Sequence, residues 1–160
     1  MYINFWYPAG ISAGITASPV RRRMLGQDFV LWRDAGGQVH CLSNICCHRG
    51  GALAGGKVVG EEVQCPYHGW RFAGDGRCTL IPSLGREARV PARVRVDAYP
   101  VAERYGLVFA FLGDLPEAER CPIMDIPEYM GEKPDAGWAA TIQHFEWNFN
   151  FQRSIENGID

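Results

Sequence analysis

Cys46-Cys47-His48-Arg49-Gly50-Gly51 and Cys65-Pro66-Tyr67-His68-Gly69-Trp70 decide how this chain is read. Each stretch offers one thiolate and one imidazole. The first pair is spaced C-x-H and the second C-x-x-H, with 16 residues between His48 and Cys65. Two sulfurs and two ring nitrogens could hold one metal ion, the Cys₂His₂ set of structural zinc sites. They could also divide, both sulfurs on one iron and both nitrogens on the other iron of a 2Fe–2S cluster. Gly50 and Gly69 follow the two histidines closely, and a residue without Cβ lets backbone approach a cofactor. Backbone N–H groups at such places can donate to cluster sulfides.

Outward from these stretches the chain is punctuated like an all-β protein. Residues 4–10 read as a strand ended by Pro8, followed by strands over 20–24, 28–33 and 39–42 with a turn at 34–37. Val58-Val59 and Val63-Gln64 are brief strands, and residues 71–73 and 78–81 flank a hairpin turn at Gly74-Asp75-Gly76. Strands are expected over 93–99 and 107–112, with the β-rich part ending at Gly113-Asp114-Leu115-Pro116. Residues 117–137, with Pro122, Pro127 and Pro134, read as an irregular connector, so a boundary is expected near residue 115. Residues 138–147 are expected to be a further strand and 148–160 a helix, with Phe151, Ile155 and Ile159 forming its apolar stripe.

The 160 residues suffice for one domain, or for one domain and part of another. A hydrophobic content of 47% supplies an ordinary core. The formal net charge of −2 gives no footprint for nucleic acid, and Arg21-Arg22-Arg23 reads as a solvated strand end. Six cysteines, Cys41, Cys46, Cys47, Cys65, Cys78 and Cys121, would allow three disulfides in a secreted protein. Residues 1–14 lack a secretory pattern, and no apolar run approaches the roughly 20 residues that span a bilayer. A cytoplasmic protein with reduced thiols and no membrane segment is therefore expected. Two cysteines then serve the site and four are buried or idle, with Cys47 read as a small buried hydrophobe.

C-C-H-R-G-G-A-L (46–53) and C-P-Y-H-G-W-R-F (65–72) resemble the cluster-binding loops of Rieske non-haem iron oxygenases, the aromatic-ring-hydroxylating enzymes. Cys47 departs from the family, which often has Pro there. The resemblance favours iron–sulfur over zinc and implies a Rieske 2Fe–2S cluster held by Cys46, His48, Cys65 and His68. It also implies a mainly β fold. An antiparallel all-β sandwich with cluster-binding loops would occupy residues 1–115. The connector and opening strand and helix of an α+β, helix-grip-like catalytic domain would occupy 116–160.

Glu156-Asn157-Gly158-Ile159-Asp160 resembles the E-N-x-x-D segment that opens the family's catalytic motif. The resemblance implies that Asp160 bridges a cluster histidine of a neighbouring subunit to a histidine on a mononuclear iron. Such an iron needs two histidines and a carboxylate. The chain has four histidines, and the cluster reading leaves only His40 and His144, both taken as surface or core residues. The mononuclear non-haem Fe(II) is thus expected on residues beyond this stretch, which would be a fragment of a longer oxygenase subunit. The implied partners are an NAD(P)H-dependent reductase or a ferredoxin, O₂, a small organic substrate and further copies of the subunit, a trimer by family expectation.

Respiratory Rieske proteins carry a disulfide between the loops, at positions held here by Gly51 and Tyr67, and hydroxyl donors at positions held by Trp70 and Phe72. Fewer donors leave a reduced cluster less stabilised, so a potential near −150 mV rather than +300 mV is expected, roughly the low end of the Rieske range. Two rivals stand beside the oxygenase: a Rieske ferredoxin acting only as an electron carrier, and a zinc-stabilised interaction module.

Overall fold

The computed structural model describes residues 3–129, 134–148 and 150–159. Among them, eleven strands form three antiparallel sheets. The middle sheet orders β2 (Val20–Met24), β3 (Gln27–Arg33), β4 (Val39–Ser43) and β9 (Ala98–Tyr99) as β2-β3-β4-β9. Its strand β3 carries an unbroken buried run, Phe29-Val30-Leu31-Trp32, because both of its faces are covered. Phe29 and Leu31 join one core with Ala9, Val39, Cys41, Val108, Ala110 and Leu112. Val30 and Trp32 join a second core with Leu42, Leu53, Val63 and Phe72, which also contains Cys46 and Cys65. Side chains alternate across a strand, so one segment seeds both layers.

The first core is closed by an outer sheet of β1 (Phe5–Ile11), β11 (Leu107–Leu112) and β10 (Val101–Arg104). Pro8 does not end β1: the strand continues through a register shift between Pro8 and Gly10 that turns Ala9 into the core. A proline has no N–H for a ladder and is tolerated on an edge strand at a bulge. The second core is closed by a sheet of short strands, β5 (Lys57–Val59), β6 (Glu62–Gln64), β7 (Arg71–Phe72) and β8 (Cys78–Leu80). This layer holds the two cysteine–histidine stretches.

Two expectations for the strands are corrected. Residues 93–99 are not one strand. Residues 93–97 run beside the β7–β8 hairpin through a single bridge at Arg95 and Arg77, and only β9 pairs with β4. The segment changes partner midway, so no continuous ladder forms. Strand β10 was not expected; it is set by the two-residue turn Tyr105-Gly106, both at positive φ, as tight hairpins require.

Residues 138–147 form no strand either: they are exposed and have no ladder partner among the described residues. Helix α1 (Phe151–Ile159) starts three residues later than expected, because Asn150 caps it. The Asn150 side-chain oxygen accepts the Gln152 N–H at 2.9 Å. Ile155 is exposed, and the side chains of Phe151 and Ile159 lie outside the described residues, as does Asp160.

The connector is irregular as expected, yet it is fastened. The Trp6 indole donates to the Cys121 carbonyl at 2.9 Å, and Arg104 donates to the Ile123 carbonyl at 2.8 Å and pairs with Asp125. The Tyr105 hydroxyl donates to the Met124 carbonyl and accepts the Ile126 N–H, both at 2.9 Å. Residues 121–126 thereby lie across the outward face of the β1–β11–β10 sheet. No helix among the described residues is long and apolar enough to cross a membrane.

Candidate metal centre

The two stretches are the same backbone turn used twice. In the first, Cys46 N–H donates to the Gly51 carbonyl and Gly50 N–H to the Cys46 carbonyl, both at 2.9 Å. In the second, Cys65 N–H donates to the Trp70 carbonyl at 2.8 Å and Gly69 N–H to the Cys65 carbonyl at 3.1 Å. Gly50 and Gly69 occupy the same place with φ of 71° and 72°, a left-handed conformation that glycine adopts without the Cβ clash. The first turn caps the bridge between Ile45 and Ala52, and the second caps the β6–β7 ladder. Buried Asn44 anchors the first: its carbonyl accepts Leu53 N–H at 2.9 Å and its Oδ1 accepts Ala54 N–H at 2.8 Å.

The structure brings the four side chains together as two pairs. Cys46 and Cys65 are both buried, and each thiol lies within the other's reach. The His48 and His68 rings meet edge to face, with centroids 4.5 Å apart. Among the described residues, no group of three or more His, Cys, Asp or Glu side chains is placed to hold a single ion. Sulfur with sulfur and imidazole with imidazole is the division a 2Fe–2S cluster of this type takes.

Two further observations fit such a group. His48 Nδ1 is buried and has no hydrogen-bond partner, which is costly for a polar atom unless something else satisfies it. Gly51 lies against the Cys65 sulfur: a Cβ there would stand 3.1 Å from Cys65 Sγ and 3.3 Å from Tyr67 Cβ. The turns therefore touch at Gly51 and Tyr67.

Burial, with the neighbouring Cys65, pushes the Cys46 thiol up to about 12. Burial, then the His68 ring and Arg49, hold the His48 imidazole below its usual value. The imidazole is thus kept in the neutral form that ligates, whereas the thiol must give up a proton when metal binds.

Around the pairs the surroundings are unequal. Trp70 lies parallel to His48, with ring centroids 4.4 Å apart and an interplanar angle of 3°. Tyr67 is exposed and sits 3.9 Å from the His68 ring at 35°. The Trp70–His48 stack joins one turn to the other and had no periodic signal in the sequence; the C-x-x-H-G-W spacing was its only trace.

The remaining candidates fall elsewhere. Cys41 and Cys78 are buried, but Cys47 is exposed, not the small buried hydrophobe expected, because it sits in the turn itself with its neighbour Cys46 pointing inward. Cys121 is exposed as well. His40 Nε2 is 2.7 Å from Asp34 Oδ2, and His144 is exposed.

Comparison with known proteins agrees with this geometry. The family described as "Rieske [2Fe-2S] domain" matches residues 5–100. The chain is 41% identical over 160 residues to 4beta-methylsterol monooxygenase of Methylococcus capsulatus, covering 98% of this chain and 42% of that protein. It is 42% identical over 134 residues to the phenoxybenzoate dioxygenase subunit alpha of Ectopseudomonas oleovorans, covering 81% of this chain and 32% of the relative. A crystal structure of dicamba monooxygenase with non-heme iron and dicamba superposes with a TM-score of 0.69 at 36% identity, over 78% of this chain and 38% of that one. The chain spans less than half the length of each of these proteins. Two matched turns, a sulfur pair beside an imidazole pair, and this set of relatives lead to one placement: the chain belongs to the Rieske 2Fe–2S family, in company with the oxygenase subunits of that family.

Proposed function

We propose that this chain is the electron-accepting part of a Rieske-type oxygenase component. Cys46 and Cys65 hold one iron of a 2Fe–2S cluster, and His48 and His68 hold the other. The observation that carries the reading is the paired arrangement of thiols and imidazoles on two identical turns, with His48 Nδ1 buried and unpartnered. When bound, the cluster supplies reversible one-electron chemistry. The chain's own residues do the rest. The buried sulfurs sit on the second core, which keeps water from that side, and the turns fix the spacing of the donors. The histidine rings lie at the outer side, where a partner has access.

In this reading residues 1–115 form the cluster domain, and residues 116–160 are the connector and opening part of a catalytic domain. The complete subunit relays electrons from an NAD(P)H-dependent reductase or ferredoxin to a mononuclear non-haem iron. It uses O₂ to hydroxylate or demethylate an aromatic or related organic substrate. Relatives that cover 98% of the chain are monooxygenase components, so the similarity runs on past residue 115, which favours an oxygenase over a free-standing ferredoxin. The protein works in the cytoplasm with reduced thiols, as a homo-oligomer, the trimer of the family.

Reconstitution with iron and sulfide tests the cluster: a coloured protein with labile sulfide and, once reduced, a rhombic paramagnetic spectrum is expected. A colourless, zinc-binding product rejects the reading, since zinc is d¹⁰. Asp160 is the proposed bridge to the mononuclear iron. In the complete enzyme Asp160→Ala should leave cluster absorbance intact and abolish hydroxylation; retained turnover removes that role.

A further inference from the structure

Trp70 makes the contact at the centre that neither the turn pattern nor the donor set requires. Its backbone carbonyl closes the second turn by accepting Cys65 N–H, which any residue can do. Its side chain leaves that turn and lies flat on the histidine of the other, 4.4 Å between centroids and 3° from parallel. The indole is half-buried and packs against the core that contains Cys46 and Cys65, so its seat is fixed from beneath. A ring lying parallel at van der Waals separation resists rotation of its partner, because a turned imidazole would drive its edge into the indole face. His68 has no such support. It meets His48 edge on at 64°, and its other ring neighbour, Tyr67, 3.9 Å away and tilted by 35°, is itself exposed and not seated on the core.

We propose that Trp70 is a positioning residue for His48: stacked across from the second turn, it fixes the plane in which the first turn presents its buried Nδ1, and so makes one histidine of the pair rigid and leaves the other compliant. The inference rests on Cys46, His48, Cys65 and His68 being the cluster ligands. The experiment uses the full chain, ¹⁵N-labelled at histidine and loaded with iron and sulfide. Imidazole nitrogen couplings of the reduced cluster are read by pulsed paramagnetic resonance, beside labile sulfide per chain. A wild-type protein that acquires no labile sulfide overturns the ligand reading and this inference together. With the wild type loaded, Trp70→Leu is expected to shift or broaden one histidine coupling and leave the other. Trp70→Phe, which keeps a stacking face, restores both. Tyr67→Leu is expected to leave the Trp70-dependent coupling unmoved. Native couplings in a fully loaded Trp70→Leu protein overturn the positioning role alone. Where Trp70→Leu fails to retain the cluster, Trp70→Phe decides: native couplings sustain the role, and displaced couplings with full sulfide overturn it.

Discussion

The turn at Cys46 and the turn at Cys65 close with the same pair of backbone hydrogen bonds and the same left-handed glycine, yet they treat their histidines differently. The first places its imidazole two residues after the cysteine, under Trp70. The second places it three residues after, beside the exposed Tyr67. The backbone supplies repeated geometry, and the side chains break the symmetry. What the comparison teaches is that equivalence of the frame does not carry over to the groups it presents.

Removing a sulfur is the harshest test of the equivalence. Cys46→Ser and Cys65→Ser should each lose essentially all labile sulfide on reconstitution, because each removes one of the two thiolate ligands proposed for one iron. A variant that keeps its full complement would show that the sulfurs do not act as a pair. Next comes the potential. Neither Trp70 nor Phe72, which follow the second turn, offers a hydroxyl, and Phe72 is fully buried. The loaded protein should titrate near −150 mV, roughly the low end of the Rieske range; a clearly positive midpoint would mean donors supplied from somewhere else.

Alanine at the two turn glycines should separate them by degree. Gly50→Ala and Gly69→Ala each force a left-handed Cβ, a cost of about 1–2 kcal/mol. Nothing lies within 4 Å of a Cβ at Gly50, but one at Gly69 would meet Pro82 Cγ at 3.2 Å. The Gly69 variant should therefore unfold at the lower denaturant midpoint, and equal midpoints would deny the extra contact.

The mildest effect belongs to acid. His40 packs against Gly74 in the hairpin behind the second turn, where a Cβ would stand 2.0 Å from its ring nitrogen. The hydrogen bond from His40, helped by the Gln38 N–H, holds the Asp34 carboxyl below its ordinary value. Its contribution to stability is then complete above the ordinary carboxylate range, about pH 4, and is lost as pH falls through the depressed folded value. As pH is lowered from about 4, amide-exchange protection should fall in the β7–β8 hairpin before it falls around Cys46, and Asp34→Asn should remove that difference.

Much of this was legible in the chain. The cysteine–histidine spacing and the glycines after it marked both turns, and β-rich runs between turn residues marked β3, β4 and β11. Other features depended on partners distant in sequence. Pro8 looked like a stop because its missing N–H is visible, whereas the bulge that accommodates it depends on β11. Residues 93–99 have strand composition, but their partners change at residue 98. Residues 138–147 have strand composition but find no ladder partner among the described residues. Asn44, the anchor of the first turn, is an ordinary polar letter until the chain brings Leu53 and Ala54 to it. The stack of Trp70 on His48 likewise arises between turns and belongs to neither.

Residues 121–126 are tied down on the outward face of the β1–β11–β10 sheet, while the histidines sit on the opposite layer with the β2–β3–β4–β9 sheet between them. Packed sheets stand about 10 Å apart, so residues 121–126 and the histidine pair are separated by roughly two such spacings. The chain therefore leaves residue 126 on the side of the stack that faces away from the two cysteine–histidine turns. A path from there to the turns within one molecule runs round the flank of three stacked sheets, whereas their open side can be approached directly from solvent.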